Sequence, residues 1–302
     1  GIVDYEPSEL VLTARCGTPL SEIERLLRGQ SQLLAFEPPH FSPAATIGGC
    51  IAAGLSGPRR AHAGAVRDFV LGVRMLNGQG EDLRFGGQVM KNVAGYDVSR
   101  LMTGAMGTLG PLLEISLKVL PRPREEISLR FEVNASEAIE AMNRWAAQPH
   151  PISATCYWNG VLHVRLSGAA VAHSKEKLGG ELVTGADEFW RILKEQELSF
   201  FQGEAPLWRF SVKSTAAPLN LPGDQLLEWN GALRWIRGAL DPDEARAVAA
   251  HNGGHATLFR GGDKTCGVFH PLPAPLLAVH QRLKRAFDPA GIFNPGRLYP
   301  EL

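Results

Sequence analysis

The sequence predicts an α+β fold in two domains, and three features carry that prediction. A strand, a glycine and an amphipathic helix follow one another between Leu10 and Gly29. Glycine-bearing bends recur ahead of apolar strands, and Pro121-Arg122-Pro123-Arg124 sets this region apart from a second one in which strands and helices alternate. A chain of 302 residues suits two domains and can bury a core large enough to enclose a ligand.

Residues 10–16 alternate in the manner of a strand, and Gly17 ends it. Thr18 is the expected N-cap of the next helix, with Pro19 at its first position. Leu20, Ile23, Leu26 and Leu27 form its apolar stripe, and Gly29 stops it. Pro38-Pro39 then stiffens the approach to Ala45-Thr46-Ile47-Gly48-Gly49, with Gly54 and Gly57 close behind. Short residues and adjacent glycines let a backbone lie against a large flat ligand and turn its N–H groups toward phosphate or ring oxygens. The stretch reads as a cradle; a glycine-rich surface loop between domains is the alternative. Gly64-Ala65-Val66-Arg67-Asp68 is a small-residue turn entering an apolar strand over 69–76. Residues 77–80 make a turn with positive-φ residues, and 81–85 form the returning strand. Residues 99–102 read as a short helical piece. Glycines over 104–110, directly ahead of a strand at 112–120, mark a second place where backbone packs against a ligand.

Beyond the connector, a strand is expected over 127–133 and a helix over 136–148, capped by Ser136 and burying Ala138, Ile139, Met142 and Trp145. Strand sequence over 154–166 folds back at Asn159-Gly160. Helices near 174–178 and 188–197, strands at 207–213, 231–235 and 256–260, and a helix over 241–251 capped by Asp241 and started by Pro242 complete a small antiparallel sheet backed by helices. A last helix spans 273–287. The expected organisation is a first domain over 1–123, a second over 124–287 and a closing segment over 288–302.

Lysine plus arginine and aspartate plus glutamate number 31 each, so the formal charge is zero and no basic stripe tracks a phosphate backbone. Nucleic acid is set aside on that ground. No apolar run has the length to span a bilayer and no secretory signal opens the sequence. The chain reads as soluble and cytoplasmic, peripheral at the inner membrane where partner subunits hold it. Cys16, Cys50, Cys156 and Cys266 contain no Cys-x-x-Cys pair, which argues against iron–sulfur clusters and structural zinc and for buried free thiols.

Glu37-Pro38-Pro39, Thr46-Ile47-Gly48-Gly49 and Gly64 ahead of Arg67-Asp68 resemble, in order and spacing, the FAD domain of the vanillyl-alcohol-oxidase (PCMH-type) flavoproteins. Lys91-Asn92-Val93-Ala94-Gly95-Tyr96-Asp97 followed by Gly107-Thr108-Leu109-Gly110 is similar to the second signature of members that oxidise D-2-hydroxy acids. Asp288-Pro289-Ala290-Gly291-Ile292-Phe293-Asn294-Pro295-Gly296 is similar to their C-terminal end. The resemblance covers nearly the whole chain. It is nearest to the FAD-binding subunits of glycolate-oxidising complexes, on Gly57-Pro58-Arg59-Arg60, Phe85 to Asp97, Gly253-Gly254-His255-Ala256-Thr257 and Phe293 to Arg297.

That resemblance implies a PCMH-type FAD-binding domain with its first subdomain largely missing, a smaller α/β cap domain and a C-terminal return to the flavin. It implies FAD held by Pro38, Pro39, Thr46, Ile47, Gly48, Gly49, Gly54, Gly64 and Val66. Gly107, Thr108, Gly110 and Leu112 would lie at the adenine and ribose end, and Asn294 near the isoalloxazine. It further implies oxidation of glycolate or related D-2-hydroxy acids, with a second FAD-binding catalytic subunit and an iron–sulfur subunit as partners. Two departures stand out: Ala105-Met106 occupies the place of the usual Ser-Glu, and Pro111 removes a backbone donor after the turn. Together they imply an altered flavin environment.

The metal-dependent members carry a His-x-Gly-Asp-Gly-Asn-x-His run, whereas only His255-Ala256-Thr257-Leu258 stands at the comparable place, with Gly262 where a second histidine belongs. One imidazole does not hold a catalytic divalent ion, so no metal is expected. Hydroxy-acid oxidation needs a base, a cation for the carboxylate and a hydride acceptor. His255 or His270 is the candidate base and Arg260 or Arg234 the candidate clamp, with a structural role for His255 in a glycine turn as the alternative. Arg59, Arg60 and His62 are candidates for flavin phosphate or for a partner subunit. A catalytically silent assembly or electron-relay subunit and a D-lactate dehydrogenase-like enzyme stand as alternative functions. The natural protein is expected to carry roughly fifty further residues at its start, the size of one strand–helix–strand unit.

Overall fold

The structure is a computed structural model that describes residues 1–87 and 97–302. It divides into two compact units, one of residues 1–57, 64–122 and 271–302 and one of residues 58–63 and 123–270.

In the first unit, the described residues form an antiparallel sheet in the order Ile2–Glu6, Val11–Arg15, Leu112–Lys118, Val70–Leu76, Asp82–Gly86. The apolar strands lie inside and the polar ones outside, as burial requires: Leu12, Met75, Ile115 and Leu117 are fully buried. The edge strand Ile2–Glu6 carries Asp4 and Glu6, so its alternation is too weak to read from sequence. The helix Leu20–Gly29 buries Leu20, Ile23 and Leu27 as expected. Its N-cap is Pro19, however, and the Thr18 hydroxyl donates to the Gly1 carbonyl at 3.0 Å instead of capping.

A larger correction concerns the cradle. Ile47–Ala53 is a helix, capped by Thr46, whose Oγ1 accepts the Gly49 N–H at 3.2 Å. Adjacent glycines disfavour a helix interior by about 1 kcal/mol each, which is why the sequence reads as a turn. Packing and the cap outweigh that preference.

The helix Ala274–Phe287 also moves, from the expected second domain into the first unit. The physical reason is visible at Gly78, whose N–H donates to the Phe287 carbonyl at 2.7 Å. A Cβ there would lie 2.6 Å from Asp288 Oδ1. The turn glycine is a docking point for the C-terminal segment, and of that turn only Gly80 has positive φ.

In the second unit, the described residues form an antiparallel sheet in the order Glu181–Leu182, Glu126–Glu132, Val161–Ser167, Ile152–Trp158, Asp224–Glu228, Leu233–Arg237, Leu207–Ser211, His255–Arg260. The helix Ala135–Ala146 covers Leu129, Leu162, Val164 and Leu166, and Pro242–His251 packs Ala245 and Ala249 with Trp208, Phe210, Ala256 and Leu258. Ala186–Lys194 sets Trp190 and Leu193 among Phe200, Phe201, Leu226 and Trp235 in another cluster. Asp241 caps its helix as expected, accepting from Asp243 and Glu244 N–H at 3.0 and 2.9 Å. Asn134, not Ser136, caps the earlier helix, in a reciprocal box with Glu137 at 3.0 and 2.9 Å. The central strand Asp224–Glu228 escapes the sequence reading because acids bracket its Gln-Leu-Leu centre. Among the described residues, no helix is long and apolar enough to cross a membrane.

Candidate functional site

A cleft of about 340 Å³ opens in the first unit, lined by Cys16, Thr46, Gly48, Gly49, Ala52, Met102, Ala105, Met106, Gly107, Gly110, Pro111, Leu112 and Asn294. Three segments distant in sequence meet there. The first is the start of the Ile47–Ala53 helix, fixed to the end of the strand Val11–Arg15 by the Gly48 N–H donating to the Cys16 carbonyl at 2.8 Å. A Cβ on Gly48 would stand 2.6 Å from Cys16 Cβ, so this glycine serves close packing. Gly49, by contrast, is exposed, and a Cβ there would meet only Thr46 Oγ1, at 3.4 Å.

The second segment is the 104–110 loop. Its Gly104 and Met106 N–H groups each donate at 2.9 Å to the carbonyls of Ile51 and Ala52, while Gly54 in the left-handed region ends that helix. Met106, Gly107 and Gly110 have φ of 52, 70 and 145°, and a Cβ on Gly110 would collide with the Leu76 carbonyl. Thr108 turns its hydroxyl inward to the Ala105 carbonyl at 2.7 Å. Pro111 contributes its carbonyl, which accepts the Leu76 N–H at 3.1 Å.

The third segment is the tail. Asp288 accepts the Ile292 and Phe293 N–H groups at 3.1 and 2.7 Å, turning the chain so that Asn294 Nδ2 donates to the Met106 carbonyl at 2.8 Å.

The cleft suits a flat, polar-edged ligand. Its volume falls in the range of small-molecule sites. Gly107 and Gly110 both line it, and their amides donate to no group among the described residues. Every lining side chain is uncharged, and burial, with Glu114 adding, pushes the Cys16 thiol up to about 12, so it stays protonated at neutral pH. An anionic ligand would therefore be held by backbone N–H groups and Asn294.

Of the residues expected from sequence, the cleft collects Thr46, Gly48, Gly49, Gly107, Gly110, Leu112 and Asn294. Pro38, Pro39, Ile47, Val66 and Thr108 are buried and do not line it; Gly54 and Gly64 do not line it either. Pro38-Pro39 belongs to the bend beside the Phe36–Phe69 contact at 5.5 Å, where a Cβ on Gly57 would strike the Glu37 carbonyl. Gly64 leads into the Asp68 cap, whose Oδ2 accepts the Ala65 N–H at 2.9 Å. Cys16, Ala52 and Met102 were missed, since small apolar residues in a strand end and helices give no signal of their own. Residues 91–96 of the second signature lie outside the described residues.

His255 belongs to the second unit, on the strand His255–Arg260 opposite Ser211. Burial first, then Arg209, His270 and Arg60, hold its pKa below the ordinary histidine value, so the ring is neutral at pH 7. The expected clamps are both occupied. Arg234 is fully buried, donating to the carbonyls of Gly231, Ala217 and Ala216. Arg260 donates to Gln196 Oε1.

Arg209 differs. Pairing opposite Thr257 sets it on the same sheet face as His255, and its guanidinium lies 5.2 Å from the Trp229 ring centre and 6.0 Å from that of Trp235. Its guanidinium makes no ion pair or hydrogen bond among the described residues. Burial, with Arg60 adding and Glu228 opposing, draws its pKa down to about 10, leaving it cationic at neutral pH. Alternation in Leu207-Trp208-Arg209-Phe210 was the signal that could have found it. Arg59, Arg60 and His62 are engaged within this unit, with Glu126 at 2.7 Å, the Trp229 ring at 4.5 Å and Asn230 Oδ1 at 3.3 Å.

Two family models match the chain, one described as FAD binding domain over residues 1–86 and one as FAD linked oxidases, C-terminal domain, over residues 270–298. Glycolate oxidase subunit GlcE of Escherichia coli (strain K12) is 53% identical over 304 residues, covering 100% of this chain and 85% of that protein. D-lactate dehydrogenase of Anaerostipes hadrus is 33% identical over 42% of this chain and 26% of its own length. Glycolate oxidase subunit GlcD of Bacillus subtilis (strain 168) is also 33% identical, over 42% of this chain and 27% of its own length. Among solved structures, alkyldihydroxyacetonephosphate synthase shares the fold with a TM-score of 0.65 at 16% identity, over 98% of this chain and 66% of that one. Fold, cleft and matches define a flavoprotein of the FAD-linked oxidase class. The chain belongs to that family, in the branch represented by glycolate oxidase subunit GlcE.

Proposed function

We propose that this chain is the FAD-binding subunit of a complex that oxidises glycolate or a related D-2-hydroxy acid to the 2-oxo acid. A second FAD-binding catalytic subunit and an iron–sulfur subunit that takes up the electrons are its partners. One observation carries the proposal: Thr46, Gly48 and Gly49 at the start of the Ile47–Ala53 helix, the glycines at 107 and 110 and Asn294 line a single cleft. The identity to a glycolate oxidase subunit supports the substrate class. The FAD-contacting residues proposed are Thr46, Gly48, Gly49, Gly107, Gly110, Leu112 and Asn294. Pro38, Pro39, Ile47, Gly54, Gly64, Val66 and Thr108 shape the wall from behind.

FAD, when bound, supplies the hydride acceptor. On the substrate side, Arg209 is the proposed partner of the carboxylate, because its cation has no other ion pair among the described residues. Neutral His255 is the proposed base for the hydroxyl proton. Loss of that proton and of the α-hydrogen as hydride leaves the 2-oxo acid, so atoms and electrons balance.

The visible spectrum of the gently purified protein tests the cofactor, and anaerobic glycolate tests the chemistry. Flavin bands that bleach are expected; a preparation without flavin bands overturns the proposal. Bands that persist under glycolate favour the silent assembly or relay subunit, a reading that the Ala105-Met106 departure supports.

A further inference from the structure

Lys284 is the buried residue of the helix Ala274–Phe287, on a face it shares with half-buried Leu277, His280, Gln281 and Phe287, and the chemistry above makes no use of it. A lysine ammonium has three protons and accepts nothing. Here each finds an acceptor: the Thr108 carbonyl at 2.8 Å, Asp288 Oδ2 at 2.7 Å and the Phe293 carbonyl at 2.6 Å. Thr108 is the neighbour of Gly107, and Phe293 of Asn294, both of which line the cleft.

Asp288, its side chain fully buried, completes the arrangement by accepting the Ile292 and Phe293 N–H groups. Burial works to raise its pKa, and the bonds from Lys284, Phe293 and Ile292 outweigh that, leaving the carboxyl below its ordinary value. One ammonium thus ties the glycine loop to the tail, and the pair that anchors it is shielded from water. A buried charge held by three convergent acceptors fixes geometry more tightly than apolar contact of the same area, because each bond is directional.

We propose that Lys284 is a positioning residue that fastens the 104–110 loop and the 292–296 tail into one body, so that filling the cleft with FAD and ordering the tail are coupled. The coupling to FAD rests on the cofactor reading above; the fastening does not.

The test is amide hydrogen exchange on the full chain, with and without FAD, alongside an FAD titration by flavin fluorescence. In the unmodified protein, the amides of Thr108 and Phe293 should exchange through one shared opening. Two unrelated protection levels overturn the fastening without any variant being made. Lys284→Met leaves Asp288 buried without its partner and risks unfolding, so Lys284→Met/Asp288→Asn is the informative variant. It should lose protection in both segments together while the sheet Val70–Leu76 and Leu112–Lys118 keeps its own. Its FAD affinity should fall about 10- to 100-fold, the range seen when an orienting outer partner is removed from a metal site. Saturating FAD should protect 292–296 in the unmodified chain and fail to do so in the double variant. Loss of protection in one segment alone, or an unchanged affinity, overturns the proposal. If the unmodified chain binds no FAD, the cofactor reading falls, while the shared opening still decides the fastening.

Discussion

The Asn294 side chain donates to the Met106 carbonyl at 2.8 Å, joining residues 188 positions apart at the cleft. The same Nδ2 stands 2.9 Å from where a Cβ on Gly107 would be. Asn294→Ala removes one exposed hydrogen bond, a loss of about 1 kcal/mol. It should leave the melting temperature nearly unchanged and lower FAD affinity several-fold. Since no lining side chain is charged, that affinity should also vary little with salt, unlike binding through ion pairs. Fluorescence titration at two ionic strengths checks both expectations, and a steep salt dependence would mean that charged groups elsewhere hold the phosphates.

Adjacent Gly48 and Gly49 should respond in opposite ways to alanine. At Gly48 the new methyl would meet Cys16 Cβ at 2.6 Å and the Cys16 carbonyl at 2.7 Å, a contact that only backbone movement relieves. Overpacking of this kind costs about 1–3 kcal/mol. At Gly49 the nearest atom is Thr46 Oγ1 at 3.4 Å, and alanine improves helix propensity by about 1 kcal/mol. Gly49→Ala should therefore keep or raise thermal stability while narrowing the cleft and weakening FAD binding. Thermal denaturation without cofactor, followed by titration, separates the two effects.

The contrast between these glycines shows what the sequence conveys. That glycines gather at 48–49, 107 and 110 was legible, and so was their convergence with Asn294. Why each is glycine was not: Gly48 and Gly110 answer to neighbouring backbone, Gly49 to the open cleft. Periodicity found the amphipathic helices and most of the buried strands because burial imposes a repeat. It missed Ile2–Glu6 and Asp224–Glu228, where edge position or bracketing acids remove that repeat. Lys284 was illegible for a further reason. A lone cation among surface-like residues looks solvated until tertiary structure buries it.

Acid should destabilise the second unit through His163. Its ring stacks on Phe189 at 4.1 Å and its Nδ1 is buried without a hydrogen-bond partner among the described residues. Burial, with Arg130 adding, lowers its pKa from 6.5 to about 4. The folded state thus binds fewer protons than the unfolded state between about pH 4 and 6.5, so stability is fully present above that window and falls as the pH drops through it. The loss is at most a few kcal/mol, at 1.36 kcal/mol per unit. Urea denaturation across this range should show the slope, and His163→Gln should flatten it.

Arg209 offers the sharpest test of the substrate side. Arg234 and Arg260 already donate within the protein, whereas the Arg209 guanidinium lies 5.2 Å from the Trp229 ring centre and 6.0 Å from that of Trp235, with its N–H groups uncommitted among the described residues. Removing one member of a close charge pair typically costs about 2–5 kcal/mol. Arg209→Met should then lower kcat/KM for a 2-hydroxy acid by about 30-fold or more at that figure, since 1.4 kcal/mol is tenfold. The flavin spectrum and FAD affinity should stay as they are, because Arg209 does not line the cleft. Arg209→Lys keeps the charge but loses the paired N–H geometry and should recover part of the activity. Stopped-flow reduction by glycolate reads the effect directly. Equal reduction rates in Arg209→Met and the unmodified protein would remove this arginine from the substrate site, and with it the main structural support for a catalytic rather than silent subunit.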